Sequence, residues 1–227
     1  MQPKICIPVM ERSVQRTVTV LRHLERQDPD LFEIRLDLMK TASSISKIRD
    51  TTYRPIIATN RHRDADGSFL GTEEARIGML LRAARDGFDY VDVEVNTKNA
   101  PKLVRRLQQE GAKAIVSYHN GKTTPRISAL ESILERERNA GADVCKIVTT
   151  AKSHADSLRC LSFVNKHARR TKLVCFAMGK FGIPSRVLSP IFGAYFTFAS
   201  QGAGRETAAG QIPVKSLRTL YKEFGVA

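Results

Sequence analysis

Short apolar or β-branched runs recur along the chain about every 20 to 30 residues, and each is followed by a stretch in which apolar positions repeat at helical spacing. Eight such runs stand out: KICIPV from Lys4, LFEIRLDL from Leu31, RPIIATN from Arg54, YVDVEVN from Tyr90, KAIVSYHN from Lys113, VCKIVTTA from Val144, KLVCFAMG from Lys172 and AYFTFAS from Ala194. Between them lie amphipathic segments such as VQRTVTVLRHLERQ, EEARIGMLLRAARDG, APKLVRRLQQEG and SALESILERERNAG, and VKSLRTLYKEF follows the last run. Gly87, Gly111 and Gly141 each fall where a helical stretch stops, which suits a C-terminal cap.

Strands and helices alternating in this number favour an α/β fold of the closed (β/α)8-barrel type over an open doubly wound sheet. A chain of 227 residues is near the usual length for that barrel, and one domain spanning residues 1–227 is expected. An open dinucleotide-binding sheet would place GxGxxG after its first strand, whereas here the first run leads into PVMERS. The glycine-rich stretch SQGAGRETAAGQ instead follows the eighth run, where barrels bind phosphate or close a lid.

Composition narrows the setting. No apolar run approaches the roughly 18 residues of a membrane span, and MQPKICIPVMER lacks the apolar core of a signal peptide, so a cytoplasmic protein is expected. Cys6, Cys145, Cys160 and Cys175 form no CxxC pair and sit within strand or helix patterns, as buried reduced thiols do. The net charge of +14 suits an anionic small molecule; its basic runs are interleaved with apolar helix positions and carry no RNP, zinc-finger or aromatic-rich basic segment, so a nucleic-acid partner is not expected.

The candidate chemistry lies in charges placed where a barrel expects aliphatic side chains. Residues two apart on a strand share a face. Glu33, Arg35 and Asp37 alternate along the second run, Asp92 and Glu94 along the fourth, Lys146 interrupts the sixth, and Arg61 and His119 stand at the ends of the third and fifth. Each alone is more simply an ion-pair member, and Asp37 and Asp92 are read as partners that hold other side chains. Together they converge on the mouth formed by the C-terminal strand ends, where this fold keeps its active sites. A lysine within a strand has a specific use, since burial and nearby positive charge would lower its pKa and free a neutral amine to attack a carbonyl.

These residues resemble the type I 3-dehydroquinate dehydratase family, nearly end to end. The resemblance rests on EIRLDLM from Glu33, PIIATNR ending at Arg61, YVDVEVN around Glu94, IVSYHN with His119, DVCKIVTTA with Lys146, AMGKFGIPSR with Met178 and Arg186, and GQI with Gln211. It implies a Schiff base between Lys146 and the substrate ketone, and proton transfer by His119. It also implies ring-hydroxyl contacts from Glu33, Arg35 and Arg61, and a carboxylate clamp at Arg186. Gln211 and Thr207 would reach in from the last loop, Met178 would pack on the ring, and Asp92 and Glu94 would support the site. No metal or organic cofactor is implied, and a homodimer is the weakly implied assembly.

Two departures from the family pattern stand out. RHRDADGSF replaces the usual Glu-Gly-Gly run after the third strand, so the carboxylate assisting His119 is left among Asp64, Asp66 and Glu94; TAAGQ replaces Ser-Ala-Pro-Gly-Gln, so Thr207 would stand in for the serine. The competing readings are a class I aldolase barrel, which a strand-six lysine also suits, and a non-catalytic basic barrel that binds nucleic acid. The EIRLD, SYHN and GQI stretches speak against the first; a salt-sensitive gel shift without turnover would mark the second.

Overall fold

The computed structural model describes residues 2–39, 44–63 and 67–226. Among them, eight strands form one parallel sheet in the order β7-β6-β5-β4-β3-β2-β1-β8. They are β1 (Ile5–Val9), β2 (Leu31–Arg35), β3 (Ile56–Thr59), β4 (Tyr90–Glu94), β5 (Lys113–His119), β6 (Val144–Thr150), β7 (Leu173–Met178) and β8 (Thr197–Phe198). The Tyr195 N–H donates to the Leu173 carbonyl at 2.8 Å, bringing the approach to β8 against β7 and nearly closing the barrel. Helices α1 (Val14–Leu24), α2 (Ser46–Arg49), α3 (Glu73–Arg85), α4 (Ala100–Gln109), α5 (Ile127–Asn139), α6 (His154–His167), α7 (Ile183–Leu188) and α8 (Val214–Glu223) follow the strands in turn.

Local chemistry explains the boundaries. Ser13 and Thr72 cap α1 and α3 by accepting from Arg16 N–H and Ala75 N–H, and Ser153 with Asp156 forms a capping box on α6. Gly87, Gly111 and Gly141 have φ of +86°, +92° and +89° just past α3, α4 and α5, so the caps expected there are present. A second device repeats at the opposite rim. Asp30, Asp89 and Asp143, each immediately before an even-numbered strand, accept the backbone N–H of Ile5, Ile56 and Ala114 on the preceding strand at 2.7, 2.9 and 2.8 Å. These contacts pin successive strand pairs in register.

The register then layers the interior. Cys6, Leu31, Ile57, Tyr90, Ile115, Val144, Val174 and Phe196 belong to the apolar cluster that fills the barrel. Two residues further along the same inward faces come Glu33, Thr59, Asp92, Ser117 and Lys146, beside Phe176 and Phe198. The larger apolar clusters lie between strands and helices. All four cysteines are buried and free. No helix among the described residues is long and apolar enough to cross a membrane.

Two expectations are corrected. The second strand ends at Arg35, and Leu36–Leu38 form a 3-10 turn, so Asp37 does not alternate with Glu33 and Arg35 on one strand. The turn folds Asp37 back onto Arg35, whose Nε and Nη2 donate to its two carboxylate oxygens at 2.9 and 2.7 Å, as the partner reading anticipated. The eighth strand is reduced to Thr197–Phe198 within the longer AYFTFAS run.

Candidate active site

At the C-terminal mouth, a cavity of about 460 Å³ is lined by Glu33, Arg35, Arg61, His119, Lys146, Met178, Arg186, Thr207 and Gln211 among others. Every residue expected to form imine, move a proton or bind substrate therefore faces one space. Asp92 and Glu94 stand behind them rather than in the lining.

Lys146 is 3% exposed, with its amine 2.9 Å from Asp92 Oδ2, 3.2 Å from Glu33 Oε1 and 4.8 Å from the centre of the Phe198 ring. Thr59 Oγ1 donates to the same Glu33 oxygen at 2.9 Å, and Ser117 Oγ donates to Asp92 Oδ1 at 2.6 Å. Both carboxylates are thus held in place by neighbouring strands. The expected lowering of the lysine pKa is not what this geometry produces. Burial pulls it down and Arg61 opposes the charge, but Asp92 and Glu33 outweigh them and the pKa is raised. Lys146 is an ammonium ion, paired twice as a buried charge must be. Asp92 is affected in the mirror sense: burial alone would raise it, but Lys146 and then Arg61 hold it well below the usual carboxylate range.

His119 is half-buried between the strand ends, and its pKa is pushed well below the ordinary imidazole value, first by burial and then by the charges of Arg61 and Lys146. The ring is neutral at neutral pH. Its Nδ1 meets Arg61 Nη1. An arginine only donates, so Nδ1 accepts and the ring hydrogen sits on Nε2. The other terminal nitrogen, Arg61 Nη2, donates to Asp92 Oδ1 at 2.8 Å. Of the carboxylates considered as partners for His119, Asp64 and Asp66 lie outside the described residues. Glu94 places Oε1 4.0 Å from Arg61 Nε and Oε2 2.7 Å from Arg76 Nη1. It therefore reaches the imidazole only through Arg61.

Arg186, from α7 just beyond β7, is 1% exposed and stacks 4.3 Å above the Phe176 ring. Burial brings its pKa down to about 9, so it stays charged at neutral pH. Its Nη2 donates to the Ala209 carbonyl at a long 3.4 Å, and its Nε has no hydrogen-bond partner among the described residues. A buried guanidinium with no carboxylate beside it among the described residues, and a donor unmet, fits an anion in the cavity.

The loop after β8 supplies the remaining wall. Thr207 donates from both N–H and Oγ1 to Gln211 Oε1, at 2.8 and 3.1 Å, which fixes the oxygen end of that amide. Gly210 has φ +80°, and a Cβ there would lie 2.7 Å from the Gly179 carbonyl, so the GQI turn demands glycine. Gly179 N–H in turn donates to Ala209 O at 3.1 Å, tying this loop to the end of β7. Among the described residues no group of three or more His, Cys, Asp or Glu is placed to hold a metal ion.

Residues 5–227 match the family model described as type I 3-dehydroquinase. The chain belongs to the type I 3-dehydroquinase family. A 3-dehydroquinate dehydratase of Dehalococcoides mccartyi is 36% identical over 191 residues, 84% of each chain. Another, from Methanococcus maripaludis, is 32% identical over 220 residues, covering 96% of this chain and 98% of its own. The crystal structure of 3-dehydroquinate dehydratase from Geobacillus kaustophilus has a TM-score of 0.89 at 27% identity, covering 99% of this chain and 92% of that one. As a type I 3-dehydroquinase the chain is an enzyme of the hydro-lyase class and a barrel of the expected kind.

Several residues of this type I 3-dehydroquinase site escaped the sequence reading. Thr59 and Ser117 orient Glu33 and Asp92, and both stand two positions before a site residue, Arg61 and His119, on the same inward face. That spacing was a usable signal. Phe176, beneath Arg186, and Arg76, behind Glu94, carried none, because a buried phenylalanine and a helical arginine are ordinary residues in sequence.

Proposed function

We propose that the chain dehydrates 3-dehydroquinate to 3-dehydroshikimate by syn elimination through an imine on Lys146, as a step of the shikimate pathway to chorismate and aromatic amino acids. The observation that carries this reading is the pairing of a buried strand lysine with a buried, carboxylate-free arginine across one cavity. A keto acid offers a carbonyl to the first and a carboxylate to the second.

In this reading the Lys146 ammonium first gives up a proton, and its nitrogen adds to the C3 carbonyl. Loss of that oxygen as water leaves an iminium. His119 takes the C2 proton, and the electron pair moves into an enamine. The enamine then expels the C1 hydroxyl, which leaves as water with the proton His119 carries, and a second water hydrolyses the conjugated imine. Two waters leave and one enters, so the net change is loss of one. For Nε2 of His119 to act as base, its hydrogen must move to Nδ1 and the Arg61 contact must give way. Ring oxygens of the substrate that accept from Arg61 and Arg35 would drive that exchange.

Glu33 and Arg35 would bind ring hydroxyls, Met178 would pack on the ring, and Thr207 and Gln211 would close over it. Incubating the purified protein with 3-dehydroquinate and following the rising absorbance of the conjugated enone tests the proposal. No rise at any pH between 6 and 9 would end it.

A further inference from the structure

Arg76 lies on α3, outside the cavity, yet it is 2% exposed and its guanidinium is fully engaged. Nε and Nη2 donate to the two oxygens of Glu73 at 2.7 Å each. Nη1 donates to Glu94 Oε2 at 2.7 Å and to the Asn60 carbonyl at 3.1 Å, and Nη2 also reaches Thr97 Oγ1 at 3.1 Å. Asn60, which precedes Arg61, returns a side-chain hydrogen bond to the Arg76 carbonyl at 3.3 Å. The helix is therefore bolted to the end of β3 and to β4 at the point where both carry site residues.

The consequence falls on Glu94. Its two oxygens are divided between arginines, 2.7 Å from Arg76 but 4.0 Å from Arg61 Nε. Arg61 is left to pair with Asp92, an anion it already shares with Lys146. A second cavity among the described residues, of about 470 Å³, is lined by Glu73, Arg76, Glu94, Ser117 and His119. His119 lines both cavities, so Glu94 stands beside open space adjoining the imidazole.

We propose that Arg76 is a positioning residue for the proton-transfer step: by holding Glu94 it keeps that carboxylate away from Arg61 and His119, and so preserves an uncharged imidazole. Among the described residues, the groups facing His119 are Arg35 from β2, Arg61 from the end of β3, Asp92 and Glu94 from β4, and Lys146 from β6, with His62, Glu73 and Lys98 around the second cavity. Asp37 and Glu33 already answer Arg35 and Lys146. A freed Glu94 would add a negative charge to this near-balanced set and favour the imidazolium. The inference rests on His119 as the proton carrier, and it distinguishes a buried arginine that only ties helix to strand from one whose absence is felt at His119 through Glu94.

The test is a double-mutant cycle read in two ways, by NMR titration of the His119 ring and by the lower-pH inflection of kcat/KM, the higher-pH one belonging to the Lys146 amine. Arg76→Gln is expected to move both upward by about one to three pH units, the usual effect of one opposite charge within a few ångströms. Arg76→Lys, which keeps the charge, stays near the parent protein. Glu94→Gln alone, and Arg76→Gln with Glu94→Gln together, leave the ring titration within a few tenths of a pH unit of the parent, because the mobile charge is gone. The double variant replaces a buried ion pair with a neutral one, which folds tolerate. Should Arg76→Gln not fold, Arg76→Gln with Glu73→Gln, which removes the carboxylate left unpaired but keeps Glu94 charged, is expected to show the same upward move. An unmoved titration in Arg76→Gln, or an equal upward move with and without Glu94, reduces Arg76 to scaffolding. The NMR arm needs no turnover, so a protein inactive on 3-dehydroquinate would defeat the dehydratase reading and leave this coupling separately measured.

Discussion

The Asp92 carboxylate stands 2.9 Å from the Lys146 amine, reaching from β4 across β5 to β6, while its other oxygen takes Arg61 and Ser117. One anion thus serves two buried cations, of which Lys146 also leans on Glu33. Asp92→Asn removes a leading raising influence on Lys146, so the lysine deprotonates at lower pH. The limb of kcat/KM that depends on the neutral amine should move acidward even though the plateau falls. Stability should also drop, by roughly 3–5 kcal/mol, because two buried cations lose their shared partner. In the parent, the depressed Asp92 pKa makes its contribution complete above the unfolded carboxylate value, near pH 4, and lost as pH falls through the folded one. An acid limb that stays in place in Asp92→Asn would separate Asp92 from the lysine's titration.

Arg186 should show the opposite balance of stability and function. Its guanidinium is buried over Phe176 with Nε unmet by any described residue, so to the fold itself it is a liability. Arg186→Met should raise stability to chemical denaturation by about 1–4 kcal/mol, as replacement of buried charge by apolar volume does. The same change should lower transition-state binding of the carboxylate substrate by roughly 2–5 kcal/mol, with Arg186→Lys recovering only part. A destabilised Arg186→Met protein with normal kcat/KM would make the residue structural.

Glu137, on α5, contributes in a way that depends on pH. It is fully buried, no described residue makes a well-formed hydrogen bond to either carboxylate oxygen, and burial, with the charge of Asp92, outweighs the approach of the Cys145 thiol and the Lys146 N–H and pushes its pKa well above the usual value. The fold therefore binds its proton more tightly than the unfolded chain does. Stability is lost as pH climbs from the unfolded value, near 4.3, toward the folded one. Glu137→Leu should stabilise the protein more at pH 8 than at pH 5, measured by urea unfolding at both. Equal gains at the two pH values, or a loss at both, would contradict the assignment.

What the sequence displayed, and what it hid, follows from what periodicity encodes. A strand's alternation records which face a residue takes, so Glu33, Asp92 and Lys146 announced themselves as charges on an aliphatic face. The expectation of a neutral Lys146 failed because alternation says nothing about register. Only the pairing of β3 with β4 and β5 with β6 brings Asp92 next to Thr59 and Lys146 next to Ser117, and so two carboxylates onto one amine. Asp37 was misplaced onto the strand because LFEIRLDL keeps its alternation through the residues that turn into a 3-10 helix. Arg76 was invisible because its partners, Glu94 and Asn60, lie 18 and 16 residues away on other elements.

The covalent step can be trapped at one atom. Lys146 is 3% exposed and its nitrogen faces the cavity that holds His119 and Arg186, so a ketone lodged against Arg186 comes within reach of this amine alone among the described residues that line the space. In the empty site the amine is protonated, and borohydride has no carbonyl to reduce. Incubation with borohydride alone should therefore leave activity intact. With 3-dehydroquinate present, the iminium should be reduced to a secondary amine, with irreversible inactivation and a mass increase of one reduced ligand per chain. Digestion should place the adduct in the peptide carrying Lys146. Raising the pH toward 9 should quicken trapping, because the raised pKa of Lys146 leaves little free amine near neutrality. Asp92→Asn should quicken imine formation at pH 6 relative to its own rate at pH 9 for the same reason. Lys146→Ala should give neither adduct nor turnover, yet should still bind substrate through Arg186. An adduct on another lysine, or turnover by Lys146→Ala, would remove the imine from the mechanism and leave the cavity to some other chemistry.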